Sequence, residues 1–145
     1  MITSVMVANN FIMRALNEKI SLTPMKLQKL IYFLYKDYLK ATDERLFTDQ
    51  FEAWQYGPVL TSVYDEFKGF GANSITRFAR DSLGDVYTAL EEGDFKICFE
   101  RIWERYKYCS GWELSKMTHA DGTAWSEAIK NNYYYLRDED IKNEQ

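Results

Sequence analysis

The chain has 145 residues, 46% of them hydrophobic and 28% charged, which is the balance of one globular domain rather than a disordered segment. Its net charge of −4 and pI of about 5.1 disfavour general affinity for phosphate backbones or anionic lipid. No apolar run approaches the length of a membrane span, and the N-terminus lacks the basic region of a signal peptide, so a cytoplasmic protein is expected. Aromatic residues reach 17%, a large ring content that either the core or a contact surface must absorb. An acidic chain of this kind suits a basic partner by charge complementarity.

In chain order, residues 4–17 read as a helix capped by Thr3 or Ser4, with Val5, Ala8, Asn9, Ile12, Ala15 and Leu16 on one stripe. Residues 24–40 carry the strongest helical signal. Thr23 is placed to cap it and Pro24 to sit at N1, where its missing N–H costs nothing. Leu27, Leu30, Ile31, Leu34 and Tyr38 form the apolar stripe. Lys26, Lys29, Lys36 and Lys40, interleaved with Tyr32 and Phe33, read as the opposite face. Residues 41–50 read as a polar loop pinned by Leu46 and Phe47.

The stretch 51–56 alternates as a short strand, with Glu52, Trp54 and Tyr56 on one side. Gly57-Pro58 then reads as a strand-to-helix corner, Pro58 standing at N1 of a helix with Val59, Leu60, Val63, Tyr64 and Phe67 as its stripe. Residues 69–84 look irregular, and a short helix is expected over 85–92. Asp94 is placed to cap a helix over 95–109. Ser110-Gly111-Trp112-Glu113 has the form of a capping box, opening a helix through about Met117, and Thr123 is placed to cap 124–131. The segment 133–136 is β-prone and suited to pair with 51–56, and Asp138 begins a terminal helical turn. The expected fold is mainly α: one domain over 1–145, a compact bundle of about six helices with a small two-stranded β ribbon.

Signs of chemistry are sparse. His119, the only histidine, lies two residues before Asp121, but no second histidine and no suitably spaced thiol completes a metal site. It reads as a turn-stabilising residue that ties the turn before residue 124 to the 51–58 corner. Cys98 and Cys109 fall eleven apart in a helical pattern, about 16 Å along an unbroken helix, too far for a disulfide, and read as free, structural thiols. The segment "GFGANS" lacks the third glycine and the preceding strand of a phosphate loop. Neither an enzyme nor a cofactor or metal is expected. The lysines and rings of helix 24–40 support an alternative, a nucleic-acid-binding regulatory or phage accessory protein using that basic face. Trp54 and Trp125 read as core anchors, and Tyr56 suits core or contact surface equally.

Four motifs in order, "LTPMKLQKLIYF" (22–33), "LF…FEAWQYGPV" (46–59), "VYDEF" (63–67) and "ELSKMTHADGTAW" (113–125), resemble the Panacea, or SocA-like, antitoxin domain. Members of that family are often described only as phage-associated proteins. The likeness spans most of the chain, with little to match in 68–100, and Ala124 stands where the family often has proline. It implies a mainly helical domain that neutralises a cognate protein toxin, typically encoded by an adjacent gene, by direct contact. At least one relative also serves as an adaptor to an AAA+ protease. The resemblance brings no catalytic residues. On this reading Lys29, Tyr32, Lys36 and Tyr56 are expected to face the partner, with Trp54, Gly57, Pro58, His119 and Trp125 as the scaffold beside them.

Overall fold

A computed structural model describes residues 1–145. Seven α-helices and one β-hairpin follow in the order α1 (Ser4–Glu18), α2 (Pro24–Thr42), β1 (Glu52–Trp54), β2 (Gly57–Val59), α3 (Thr61–Phe67), α4 (Gly93–Tyr106), α5 (Gly111–His119), α6 (Ala124–Asn131) and α7 (Asp138–Asn143), with a 3₁₀ turn over Lys68–Phe70. The mainly α fold with a small ribbon is as the sequence implies.

The helix boundaries follow local chemistry. The side chains of Thr3, Thr23 and Thr123 each accept from the backbone N–H three residues on, supplying orphan amides with an acceptor. Ser110 and Glu113 complete a reciprocal capping box at α5. Lys19, Asp43 and Asn132 close α1, α2 and α6 in the left-handed conformation.

Helix α2 runs through the centre. Every residue from Lys26 to Tyr35 is buried, so the helix is enclosed on all sides rather than along one stripe. α4 lies against it with Phe33 and Tyr106 stacked at 4.8 Å, and α1 meets α4 through Phe11 and Phe99 at 4.7 Å. Tyr32 and Tyr35 meet Phe51 edge-on at 5.2 and 5.4 Å, which seats the start of the hairpin on the middle of α2.

The strand-to-helix corner expected at Gly57-Pro58 is instead the second strand of a hairpin. β1 and β2 pair antiparallel with Ala53 opposite Pro58 and Trp54 opposite Gly57, and the next helix starts only at Thr61. Pro58 is tolerated there because Ala53 directs its N–H outward, to Tyr134 O at 3.1 Å. The 133–136 segment does border 51–56, through that bond, a Glu52–Tyr135 bridge, and donation from Leu136 N–H to Phe51 O. The ribbon's main partner is nevertheless its own continuation.

The helix expected over 85–92 is absent, and α4 opens at Gly93 with Glu92 rather than Asp94 at the cap position. The backbone of this stretch is held by α1 instead. Asn9 donates through Nδ2 to Ala79 O and Tyr87 O, both at 3.0 Å, and accepts from Ala79 N–H at 2.9 Å. Asn10 makes the same reciprocal pair with Ala89. Two asparagines thus stand in for a neighbouring strand, and a helix over 85–92 would withdraw the groups they bind. Asn9→Ala would leave buried loop groups unpaired at a cost of about 2 kcal/mol. Urea unfolding should show that loss, and hydrogen exchange should show the Ala79 amide opening well before the amides of α2.

Candidate functional site

The tip of the hairpin is where side chains from the most elements converge. Three successive carbonyls are taken by side chains of α5 and α6. Trp125 Nε1–H donates to Trp54 O at 2.6 Å, His119 Nε2 lies 2.7 Å from Gln55 O, and Ser115 Oγ–H donates to Tyr56 O at 2.8 Å. The other His119 nitrogen lies 2.6 Å from Ser115 O, and its ring packs on Trp125 with centroids 4.1 Å apart. His119 therefore ties the α5–α6 turn to the hairpin, with both ring nitrogens engaged by backbone. Asp121 is exposed beyond it.

On the inner side α2 completes the clamp. Gln28 exchanges two hydrogen bonds with Leu60, Nε2 to the carbonyl at 3.0 Å and Oε1 from the N–H at 2.9 Å. Lys29 Nζ donates to Pro58 O at 3.1 Å. Gly57 has φ +112°, and a Cβ there would fall 2.7 Å from Thr118 Oγ1 and 3.0 Å from Lys29 Nζ. Only glycine meets both demands.

The outer surface of this rigid tip is aromatic. Tyr56 is 49% exposed and meets Trp112, 60% exposed, edge-on at 5.7 Å. Trp54 and Tyr64 meet at 4.8 Å. Between the hairpin, α2 and α3 lies a cavity of about 400 Å³, with Leu27, Val63 and Phe67 at its buried end and Tyr56, Tyr64 and Lys68 toward solvent.

The expected partner-facing residues separate here. Tyr56 is on the surface. Tyr32 is 0% and Lys29 1% exposed, so neither side chain reaches a partner across the closed surface. Lys36 is half-buried and spoken for: Nζ pairs with Glu144 Oε2 at 2.8 Å, while Tyr32 O–H donates to Glu144 Oε1 at 2.6 Å. Lys26 is buried between the carbonyls of Ser21 and Lys107. Only Lys40 is exposed, and it donates to Lys142 O. The basic face on which the nucleic-acid alternative rests is thus interior. Trp54, Gly57, Pro58, His119 and Trp125 do gather as one scaffold. Gln28, Ser115 and Trp112 belong to the site without having been singled out. Trp112 had a signal, an aromatic inside a capping box where a polar residue would serve. Gln28 and Ser115 had none, since each is an ordinary polar helical residue.

Burial governs the titration of the buried groups. The Lys29 amine is lowered to about 7 by desolvation, with no carboxylate to oppose it. Tyr32 is raised well above the ordinary phenol range, by burial first and by Glu144 second. The Cys98 thiol is pushed up to about 11, again chiefly by burial.

A family model described as "Antitoxin SocA-like, Panacea domain" matches residues 27–126. Antitoxin SocA of Caulobacter vibrioides (strain NA1000 / CB15N) is 30% identical over 124 residues. That match covers 82% of this chain and 66% of that protein, so the chain spans just under two-thirds of its curated relative. No solved structure gives a significant match. No helix is long and apolar enough to cross a membrane.

The sign of the Lys29 effect on stability follows from linkage. The folded amine binds fewer protons than the unfolded one between about pH 7 and the ordinary lysine value of 10.5, so its contribution to stability rises with pH in that window. Cys98 and the buried tyrosines act oppositely at higher pH, where the unfolded groups lose protons that the folded ones keep. Between pH 7 and 8.5 the wild type should therefore gain about 1.5–2 kcal/mol over Lys29→Met, at 1.36 kcal/mol per pH unit. Urea denaturation across that range measures it, and parallel pH profiles would show that the amine is not buried in solution.

Proposed function

The chain belongs to the SocA-like Panacea domain family, and we propose that it is an antitoxin that neutralises a cognate protein toxin by direct contact. The toxin is encoded by the adjacent gene, and the pair forms in the cytoplasm. The protein performs no catalysis in this role. A second step, delivery of the bound toxin to an AAA+ protease, is part of the proposal and rests on the family resemblance.

The observation that carries this reading, beside the family match, is the exposed Tyr56–Trp112 pair on a hairpin whose successive carbonyls are held by side chains. Large rings are the residues that dominate binding energy at protein interfaces. Rings held on a fixed frame lose little conformational freedom when a partner arrives. A histidine locked between two carbonyls serves that frame, whereas a general base would need a free nitrogen within reach of a substrate.

Co-expression of the adjacent gene's product should arrest growth, and the wild-type chain should restore it. Tyr56→Ala and Trp112→Ala should each weaken the complex about tenfold or more while circular dichroism stays native. Full rescue by the double variant would remove this surface from the interface. Failure of the wild type to bind or rescue would remove the antitoxin reading itself. For the protease step, toxin half-life should shorten in the presence of the wild-type chain and lengthen again when the protease is depleted.

A further inference from the structure

We propose that His119 holds the hairpin as a doubly protonated imidazolium, so that the proton on this one ring regulates how firmly the tip and its Tyr56–Trp112 surface are fixed. The inference rests on a count of donors. Nδ1 lies 2.6 Å from Ser115 O, and Nε2 lies 2.7 Å from Gln55 O. Both are hydrogen-bond distances, and both partners are carbonyl oxygens, which only accept. A neutral imidazole has one N–H and one lone pair, whichever tautomer it adopts. One of the two contacts would then press a nitrogen lone pair against an oxygen. The imidazolium, with a donor on each nitrogen, satisfies both.

The surroundings favour the same charge. His119 is the last residue of α5, where the helix dipole favours a cation. Its ring packs on Trp125 with centroids 4.1 Å apart, and an indole face attracts positive charge. The charged groups on the elements around the ring are engaged elsewhere or lie in solvent. Lys116 on α5 and Asp121 on the turn are exposed. Glu127 on α6 accepts from Asn131, Glu52 on β1 accepts from Trp54 Nε1–H, and Lys29 on α2 donates to Pro58 O. The polar contacts of the ring itself are the two carbonyls.

Loss of the proton has a defined consequence. Ser115 stands one turn back on the same helix, whereas Gln55 is 64 residues away on an exposed turn. The remaining proton stays on Nδ1 for Ser115 O, and the Nε2 contact with Gln55 O opens. Trp125 and Ser115 still hold Trp54 O and Tyr56 O, so the tip loosens between them rather than detaching. Acid therefore tightens the tip, and raising the pH loosens it. The effect on toxin affinity rests on the antitoxin reading above, whereas the charge of the ring does not.

As the only histidine, His119 is read directly in nitrogen-15 spectra of the intact chain, recorded from about pH 5 to about pH 8.5 across the ordinary imidazole range. In acid both ring nitrogens should carry N–H protons protected from exchange with water. As the pH rises the Nε2 proton should be lost, and the amide signals of Gln55, Tyr56 and Gly57 should move along the same curve. His119→Gln should abolish that curve and leave any contribution from Lys29, whose amine titrates at about pH 7 beside Pro58. Affinity of the wild type for the adjacent gene's product should fall about threefold or more over that range, beyond any change in the variant. An Nε2 proton that exchanges freely in acid, or a ring that titrates without moving those amides, would overturn the proposal. So would amide curves identical in His119→Gln, which would assign the movement to Lys29, or an affinity that ignores the charge of the ring. The wild-type spectra decide the charge even if the variant folds poorly. Failed growth rescue removes the antitoxin reading without touching them.

Discussion

The structure turns on the burial of a helix that carries polar side chains on every face. Helix α2 is enclosed from Lys26 to Tyr35, so each polar group on it requires a partner inside the protein, at a cost of about 1–3 kcal/mol wherever one is missing. Those partners lie on the segments packed around it. Lys26 takes the α4–α5 turn at Lys107, Gln28 the exit of the hairpin at Leu60, and Lys29 its second strand at Pro58. Tyr32 and Lys36 take Glu144, and Tyr35 takes Asp138 at 2.7 Å. The apolar residues of α2 drive collapse, and its polar residues decide which segment lies where.

Glu144 shows how far one such bond reaches. Its carboxylate accepts from Tyr32 O–H, from Lys36 Nζ, and from the free N–H of Ala124 at the start of α6. The C-terminal segment is thereby fixed to α2 and to α6 at once, and the N-terminal end of α6 gains a negative charge where the helix dipole favours one. α6 in turn carries Trp125, which holds the hairpin. The rigidity of the tip is inherited from α2 by two routes, directly through Gln28 and Lys29 and indirectly through Glu144, α6 and Trp125.

This arrangement explains which features were legible in the sequence. Caps and capping boxes depend on residues within four positions of each other, and Thr3, Thr23, Ser110 and Thr123 all act as their local sequence implies. The role of His119 was legible for a related reason: with no second ligand nearby, bonding to backbone was the simplest use of its ring. The faces of α2 were not legible. Lysines and tyrosines opposite an apolar stripe carry the same pattern whether they meet water or buried carbonyls, and their partners lie more than eighty residues away at Lys107 and more than one hundred away at Glu144. Pro58 misled because its fixed φ suits both the first turn of a helix and a strand position with no ladder bond to donate. The missing helix over 85–92 is a tertiary override: Asn9 and Asn10 compete for the same backbone groups.

Lys29 stands apart from this economy. Lys26 has two acceptors and Lys36 a carboxylate, so the fold has ways to accommodate a buried amine, yet at Lys29 it stops at one carbonyl. Methionine would fill the same volume without the desolvation that drives the amine down to about 7. The cost falls beside the site richest in exposed rings, at the close approach of Lys29 to the hairpin that Gly57 permits. Local departures from the rules that stabilise a fold tend to gather where a protein meets its ligand. A buried amine with a single neutral acceptor beneath the hairpin is such a departure.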